Sequence, residues 1–329
     1  MFYLKKYFFL IFSFLFFGVG FLFPVFSFES DYIVSNYPEG ISVPGLMFDK
    51  PFDKQGFRIL YHHRNISAFP LSIVVSLQNL SLREETISIR AGIGGSTDDI
   101  VFAGHKAAQT FLSQYLRDAK VIKLPPLSST YVLSHLVKPS QTSSGIIQLF
   151  RDSVSSLRVK MGVVDNQYPQ LSFFSDIASG VHQYRVAHFE DRVFKKSVKF
   201  DAADTIMAIE VGGKPYLVDS YLNYELTGNY GVIYKFDITL FNSLQDTVKF
   251  NFSLAPKKDN AVDRAVFLIN EELVEVGVSF QKDNMVSMQT FYSISLNAKE
   301  KKTFSLITLP QSGCYYPVDV IIRSMESSL

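Results

Sequence analysis

Apolar and polar residues alternate with a period of two through most of the chain beyond its first 28 residues. In Leu71–Asn79, Leu71, Ile73, Val75 and Leu77 alternate with Ser72, Val74, Ser76 and Gln78. This predicts a strand with one apolar and one mostly polar face. In 86–90, Ile87 and Ile89 oppose Thr86, Ser88 and Arg90. With the run 57–65 before them, these segments read as a meander whose apolar face must be buried against a second sheet.

Similar logic predicts strands over 120–124 and 130–137, joined as a hairpin by the turn 125–129, and over 146–150 and 157–164. Later strands are expected over 182–189, 198–201, 205–211 and 216–224, with Gly212-Gly213 as a hairpin turn. The stretch 29–55 carries Pro38, Gly40, Pro44, Gly45 and Pro51. It is expected to cross the surface with short strands at 41–43 and 46–48. The Ser-rich 140–144 reads as a surface loop. One segment has helical spacing: Ala108, Phe111, Leu112, Tyr115 and Leu116 recur within 105–119. That helix is expected to cap an open end of a sandwich.

The second half echoes the first. YKFDITLFN (234–242) followed by TVKFNFSL (247–254) repeats LSIVVSLQN followed by TISIR, and each first strand ends on an asparagine, Asn79 or Asn242. The segment 294–309 likewise repeats 122–136. Tandem matching units predict two domains of one class. The expected fold is all-β: two tandem immunoglobulin-like β-sandwich domains, 28–168 and 182–329, joined by a linker at 169–181, with one short helix in the first.

The N-terminus reads differently. Lys5 and Lys6 precede an apolar run over 7–23, then Pro24, Val25 and Ser27. This is the pattern of a secretory signal peptide, 1–27, cut after Ser27. The rival reading is an uncleaved anchor, the one route to membrane contact the sequence offers. Either way the expected location is secreted or periplasmic, at the cell envelope.

Thirty-two Lys and Arg balance 31 Asp and Glu, for a formal charge of +1. That balance argues against a nucleic-acid partner. The single cysteine, Cys314, cannot form an intramolecular disulfide and reads as a packed thiol.

The order, spacing and turn chemistry resemble tandem immunoglobulin-like sandwiches of exported bacterial proteins. More narrowly, YHHRN (61–65), the GHKAA of 104–108, GNYGVIY (228–234) and YYPV (315–318) are similar to a group of uncharacterised secreted bacterial proteins. The resemblance implies fold and export and transfers no catalytic residue. The Cys–Trp–Cys core of antibody domains is missing.

Candidate chemistry is sparse. His62 and His63 are neighbours in a strand and point to opposite faces. His105, His135, His182 and His188 are scattered, and one cysteine allows no CxxC. Gly92, Gly94 and Gly95 precede the helix as a phosphate loop would, but no GK[ST] follows and Asp98 and Asp99 would repel phosphate. The stretch reads as a tight strand-to-helix connection. No G-x-S-x-G elbow occurs, and no cofactor is expected. A ligand site, if the first domain holds one, is expected at this loop, from His63, Gly94, Gly95, Asp99 and His105. The sequons at Asn65, Asn79 and Asn251 matter only in a pathway that N-glycosylates.

These features point to an exported, non-enzymatic binding or scaffolding protein whose partner is an envelope or extracellular protein or glycan. Two alternatives stand beside it. One is a carbohydrate-active or metal-assisted hydrolase with a site assembled from distant residues. The other is a periplasmic assembly chaperone.

Overall fold

The computed structural model describes residues 29–152, 156–165, 185–257, 263–278 and 289–326. The signal segment and the linker expected at 169–181 lie outside the described residues. The described residues are all-β apart from one α-helix and two short 3-10 turns.

In chain order the first strands are β1 (Ser30–Ile41), β2 (Gly45–Phe52), β3 (Gly56–Asn65), β4 (Leu71–Asn79) and β5 (Glu85–Thr97). Helix α1 (Ile100–Ser113) follows, then β6 (Lys120–Leu124), β7 (Ser129–Val137), β8 (Thr142–Phe150), β9 (Leu157–Asp165) and β10 (Val186–Glu190). The second half holds β11 (Val193–Asp201), β12 (Ile206–Val211), β13 (Ile233–Phe241), β14 (Val248–Pro256) and β15 (Asp263–Ile269). It closes with β16 (Glu272–Val278), β17 (Gln289–Leu296), β18 (Lys301–Thr308) and β19 (Val318–Glu326).

Four sheets form two sandwiches. A six-stranded sheet, β10-β1-β3-β8-β5-β6, faces a four-stranded one, β2-β9-β4-β7, across a core of residues such as Phe57, Ile59, Tyr61, Ile73, Val75 and Met161. In the second half β11-β13-β18-β15-β16 faces β12-β19-β14-β17 around Phe236, Ile238, Phe250, Phe252 and Phe304.

The expected meander is corrected by this topology. Strands β3 and β5 lie in one sheet and β4 in the other, so successive runs cross between layers rather than pairing as neighbours. The expected 120–137 hairpin is likewise an arch: β6 pairs with β5 and β7 with β4. Period-two patterning reports which face is apolar and is silent about which strand is the neighbour. The entry 29–55 does not merely cross the surface. Strand β1 inserts between β3, to which it runs parallel, and β10. Gly212-Gly213 is no hairpin turn, because β12 pairs with β19 and a long loop follows it. The expected loop 140–144 is mostly strand, with Ser143 and Ser144 buried in β8.

The internal echo holds in topology. The antiparallel set β3-β8-β5-β6 over β4-β7 recurs, in the same chain order, as β12-β19-β14-β17 over β13-β18. What differs is what fills the connections. Helix α1 sits between β5 and β6, where the second sandwich has the β15–β16 hairpin. The loop 212–232 replaces the short β3–β4 turn.

Helix α1 and the β15–β16 hairpin meet. Helix α1 does not cap a sandwich end; it lies on the outer face of the six-stranded sheet, against β5 and β8, and touches β15 and β16. Gly94 of β5 permits this approach, since a Cβ there would overlap the carbonyl of Ala103. Gly104 of α1 leaves room for the backbone of Ser312. Expected with Gly95 as a tight connection, Gly92 and Gly94 instead lie in β5 beneath the backbone of α1. One apolar cluster runs from Tyr32, Leu60, Phe111 and Ile146 into Phe189, Tyr234 and Leu309, so the sandwiches share buried surface.

Polar groups pin the same boundary. His105 Nε2 lies 2.7 Å from Glu275 Oε2, and Gln109 donates to the other oxygen of Glu275. Tyr115 meets two cations, with Arg90 5.4 Å and Lys235 5.5 Å from its ring centroid. The fully buried Arg58 pairs with Asp191 and lies 4.8 Å from the Tyr32 ring centroid. Strand β10, expected in the second unit, adds to the first sheet through β1. Cys314 is buried and accepts from Gln311 Nε2 at 3.1 Å.

Candidate ligand groove

The residues singled out from the sequence do not gather in one cleft. His63 lies inside the first sandwich, 2.9 Å from Ser35 Oγ and stacked on Tyr61. Burial, with His62 beside it, pushes its pKa down to about 3. Gly94 is under α1, and Gly95 takes a positive φ of 98° against the backbone of Thr142. Asp99 is the N-cap of α1 and accepts from the Phe102 N–H at 2.9 Å. His105 is buried between Glu275 and Gln311. Thus His63 faces the sandwich interior while Gly94 and His105 belong to the opposite face of the sheet. Asn65 and Asn79, the first two sequon asparagines, are fully buried and consumed by hydrogen bonds. Neither can accept a glycan as folded.

A concave site does exist elsewhere. A groove of about 760 Å³ opens along β10, beside β2 and under the loop between β12 and β13. Each element is placed by the topology. Strands β2 and β10 are the terminal strands of the two facing sheets, so the groove lies where the first sandwich is open at its side. Leu46 belongs to a small outer cluster with Val74 and Val164, whereas Met47 and Phe48 belong to the main core. All three line the groove. Residues of both faces of β2 can do so only because the groove reaches its free edge. Val34, Ala187 and Phe189 form more of the wall, and these are buried core residues.

The covering loop is tied down by one carboxylate. Asp219 accepts from the backbone N–H groups of His188 and Tyr221, each at 2.8 Å, and from that of Leu222. Burial alone would raise its pKa; these hydrogen bonds outweigh it and hold the carboxyl below the ordinary value. Ser220 N–H donates to the His188 carbonyl at 2.7 Å, so the loop also occupies the outer edge of β10. Asp219 N–H donates to the Tyr224 carbonyl at 2.9 Å, which makes 219–224 a tight hairpin. Its tip leaves Tyr221 and Leu222 each 68% exposed.

Charge in the groove is not evenly spent. Asp49 is engaged by Arg158 Nε at 2.7 Å and Lys160 Nζ at 3.7 Å. Asp31, below the groove, accepts from Lys54 at 2.8 Å and lies 3.1 Å from His188 Nε2. Lys50 meets no carboxylate among the described residues; its ammonium lies 4.9 Å from the Tyr221 ring centroid. An apolar cavity with a few placed polar groups is the usual form of a ligand site.

Sequence reasoning missed Lys50, His188, Asp219 and Tyr221, which lie in segments far apart along the chain. One signal was legible. Pro51 falls inside β2, and proline within a strand marks a sheet edge.

No family model matches the chain, and no curated protein matches it. Among solved structures, the CUB1-EGF-CUB2 domains of rat MASP-1 align over 89% of this chain and 99% of theirs at 8% identity, with a TM-score of 0.21. The CBM22-1-CBM22-2 tandem domain of Paenibacillus barcinonensis Xyn10C aligns over 88% of this chain and 92% of its own at 8% identity, with a TM-score of 0.17. Lac15 from a marine microbial metagenome aligns over 91% of this chain and 63% of its own at 7% identity, with a TM-score of 0.17. Likeness at this level carries no argument about function, and the resemblance to secreted bacterial proteins rests on the sequence segments alone.

Proposed function

We propose that this protein is an exported binding protein of the cell envelope or extracellular space, and that its ligand occupies the groove along β10. One observation carries the reading: a mostly apolar groove of about 760 Å³, its covering loop fixed by Asp219, bordered by an exposed Tyr221–Leu222 tip. Burying ligand surface here gains on the order of 25 cal/mol per Å² of apolar area. Contiguous exposed apolar surface beside a concavity marks an interaction site more often than scattered apolar residues do.

The groove is tested with an uncharged apolar fluorophore, N-phenyl-1-naphthylamine, titrated into the mature chain. Saturable enhancement at one site is expected in the wild type and is lost in Val186→Trp, whose indole fills the groove from a half-buried position. Equal response of both proteins, at unchanged melting temperature, would remove the groove from the reading. Export is tested by fractionation and intact mass: the exported chain should begin at Phe28. A full-length protein recovered from the cytosol would end that half of the proposal.

A further inference from the structure

Resting on the groove reading, we infer that the ligand is a single-chain anionic amphiphile, an acyl chain whose acidic head is received by Lys50. Three features of the groove choose this chemistry over others.

The first is the state of the backbone edges. An extended peptide would bind by adding to an open strand, which needs a run of unpaired N–H and C=O groups. The β10 edge is already taken at His188 by Asp219 and Ser220. The β2 edge is interrupted by a bulge at Met47 and by Pro51. Both devices blunt a sheet edge against further pairing. The groove thus offers apolar wall with little backbone to satisfy, which suits a hydrocarbon chain.

The second is polarity. A sugar ring presents hydroxyls around its circumference and needs several matched donors and acceptors. Here the carboxylates nearest the walls are committed, Asp219 to backbone N–H groups and Asp49 to Arg158 and Lys160.

The third is charge. With the acids engaged, Lys50 is left with an aromatic ring and no counter-ion among the described residues. An anionic head placed there gains a charge-assisted hydrogen bond in a partly desolvated setting. The chain behind it would run over Phe48, Ala187 and Phe189.

The probe is 11-(dansylamino)undecanoic acid, compared with its methyl ester, in full mature protein. Binding of the acid is expected to be saturable, and at least about ten-fold tighter than that of the ester, the size of one charge-assisted contact. Lys50→Glu should weaken the acid by a similar factor and improve dodecyltrimethylammonium as a competitor. Lys50 is half-buried on the same side of β2 as Phe48 and Phe52, at the open side of the sandwich, so Lys50→Gln, which adds no charge there, is run beside Lys50→Glu and should likewise bring acid and ester to similar affinity. Equal affinity for acid and ester, or an unchanged acid affinity in Lys50→Glu, overturns the inference while N-phenyl-1-naphthylamine still reports the groove. Displacement of that fluorophore by an alternating valine–threonine octapeptide but not by the acid overturns it in favour of a polypeptide. Loss of fluorophore binding altogether in the wild type instead removes the groove reading on which the inference rests.

Discussion

Asn79 and Asn242 hold the same place in two successive sandwiches. The Nδ2 of Asn79 donates to the carbonyls of Arg83, Leu124 and Pro125 at 2.7, 3.1 and 2.9 Å. The Nδ2 of Asn242 donates to those of Asp246, Leu296 and Asn297 at 2.7, 3.1 and 3.0 Å. Each Oδ1 accepts from the N–H two residues on, Ser81 at 2.9 Å or Leu244 at 3.0 Å. In both sandwiches the side chain ties the end of one strand to the turn that carries the chain from the other sheet, and both turns place a residue at positive φ, Leu127 or Lys299.

Replacing either asparagine by alanine should therefore cost about 2–4 kcal/mol, because three carbonyls lose their donor at once and one of each set, that of Leu124 or Leu296, is buried. Urea unfolding of Asn79→Ala and Asn242→Ala measures this. Aspartate at either site should be at least as damaging, since an oxygen would face three carbonyl oxygens. Losses under about 1 kcal/mol would mean that the turns hold without these side chains.

Gly94 and Gly104 set the distance between α1 and its two neighbours. Gly94→Ala and Gly104→Ala should each destabilise the protein by about 1–3 kcal/mol or more, the cost of forcing packed backbones apart. Gly277→Ala is the control, because a Cβ there would meet only Arg264 Cγ at 3.7 Å. Thermal melts of the three variants should separate the first two from the third.

Tyr115 offers its ring to both Arg90 and Lys235 at the boundary between sandwiches. Burial, with Lys195 and Arg90 nearby, lowers the pKa of Lys235, so its charge is already held at a cost. Tyr115→Leu should cost about 1–3 kcal/mol by removing the ring that both cations approach, whereas Tyr115→Phe should cost much less. Adding Lys235→Met to Tyr115→Leu should recover part of the loss, which a double-mutant cycle reads directly.

Most strands were legible in the sequence and their partners were not; the strand expected over 216–224 is instead part of the loop 212–232. Leu71–Asn79 matches β4 end to end, because a period of two in side-chain type marks extended backbone. Nothing in it says that β4 pairs with β7 and β9 while β5 pairs with β6 and β8. Alternation also failed to show that Ser72, Val74 and Ser76, on the polar side of β4, are buried. The asparagine echo was visible because one local hydrogen-bonding task demands one residue type at one place. The groove was invisible because Lys50, His188 and Tyr221 come together only when β2, β10 and the 212–232 loop are in position. The glycines before α1 look like a phosphate loop on paper, and the fold uses Gly94 to admit a helix.

Buried imidazoles fix the protein's response to acid. Burial pushes the pKa of His62 down to about 4, and that of His63, with His62 beside it, to about 3. In the unfolded chain both titrate near about 6.5. The folded values lie below the unfolded ones, so the neutral rings belong to the folded state. Their share of stability is complete above about pH 6.5 and is lost as the pH falls towards 4, at about 1.4 kcal/mol per unit for each group. Urea midpoints taken from pH 7.5 to 4.5 should drop steeply over this window. The two histidines separate in their variants. Neither ring nitrogen of His62 has a hydrogen-bond partner among the described residues, so His62→Leu should lose nothing at pH 7.5 and should shed roughly half of the acid sensitivity. His63→Leu gives up the contact with Ser35 and should cost about 1 kcal/mol at pH 7.5 while also flattening the profile. A His62→Leu protein that stays as acid-sensitive as the wild type would show that some other group drives the transition.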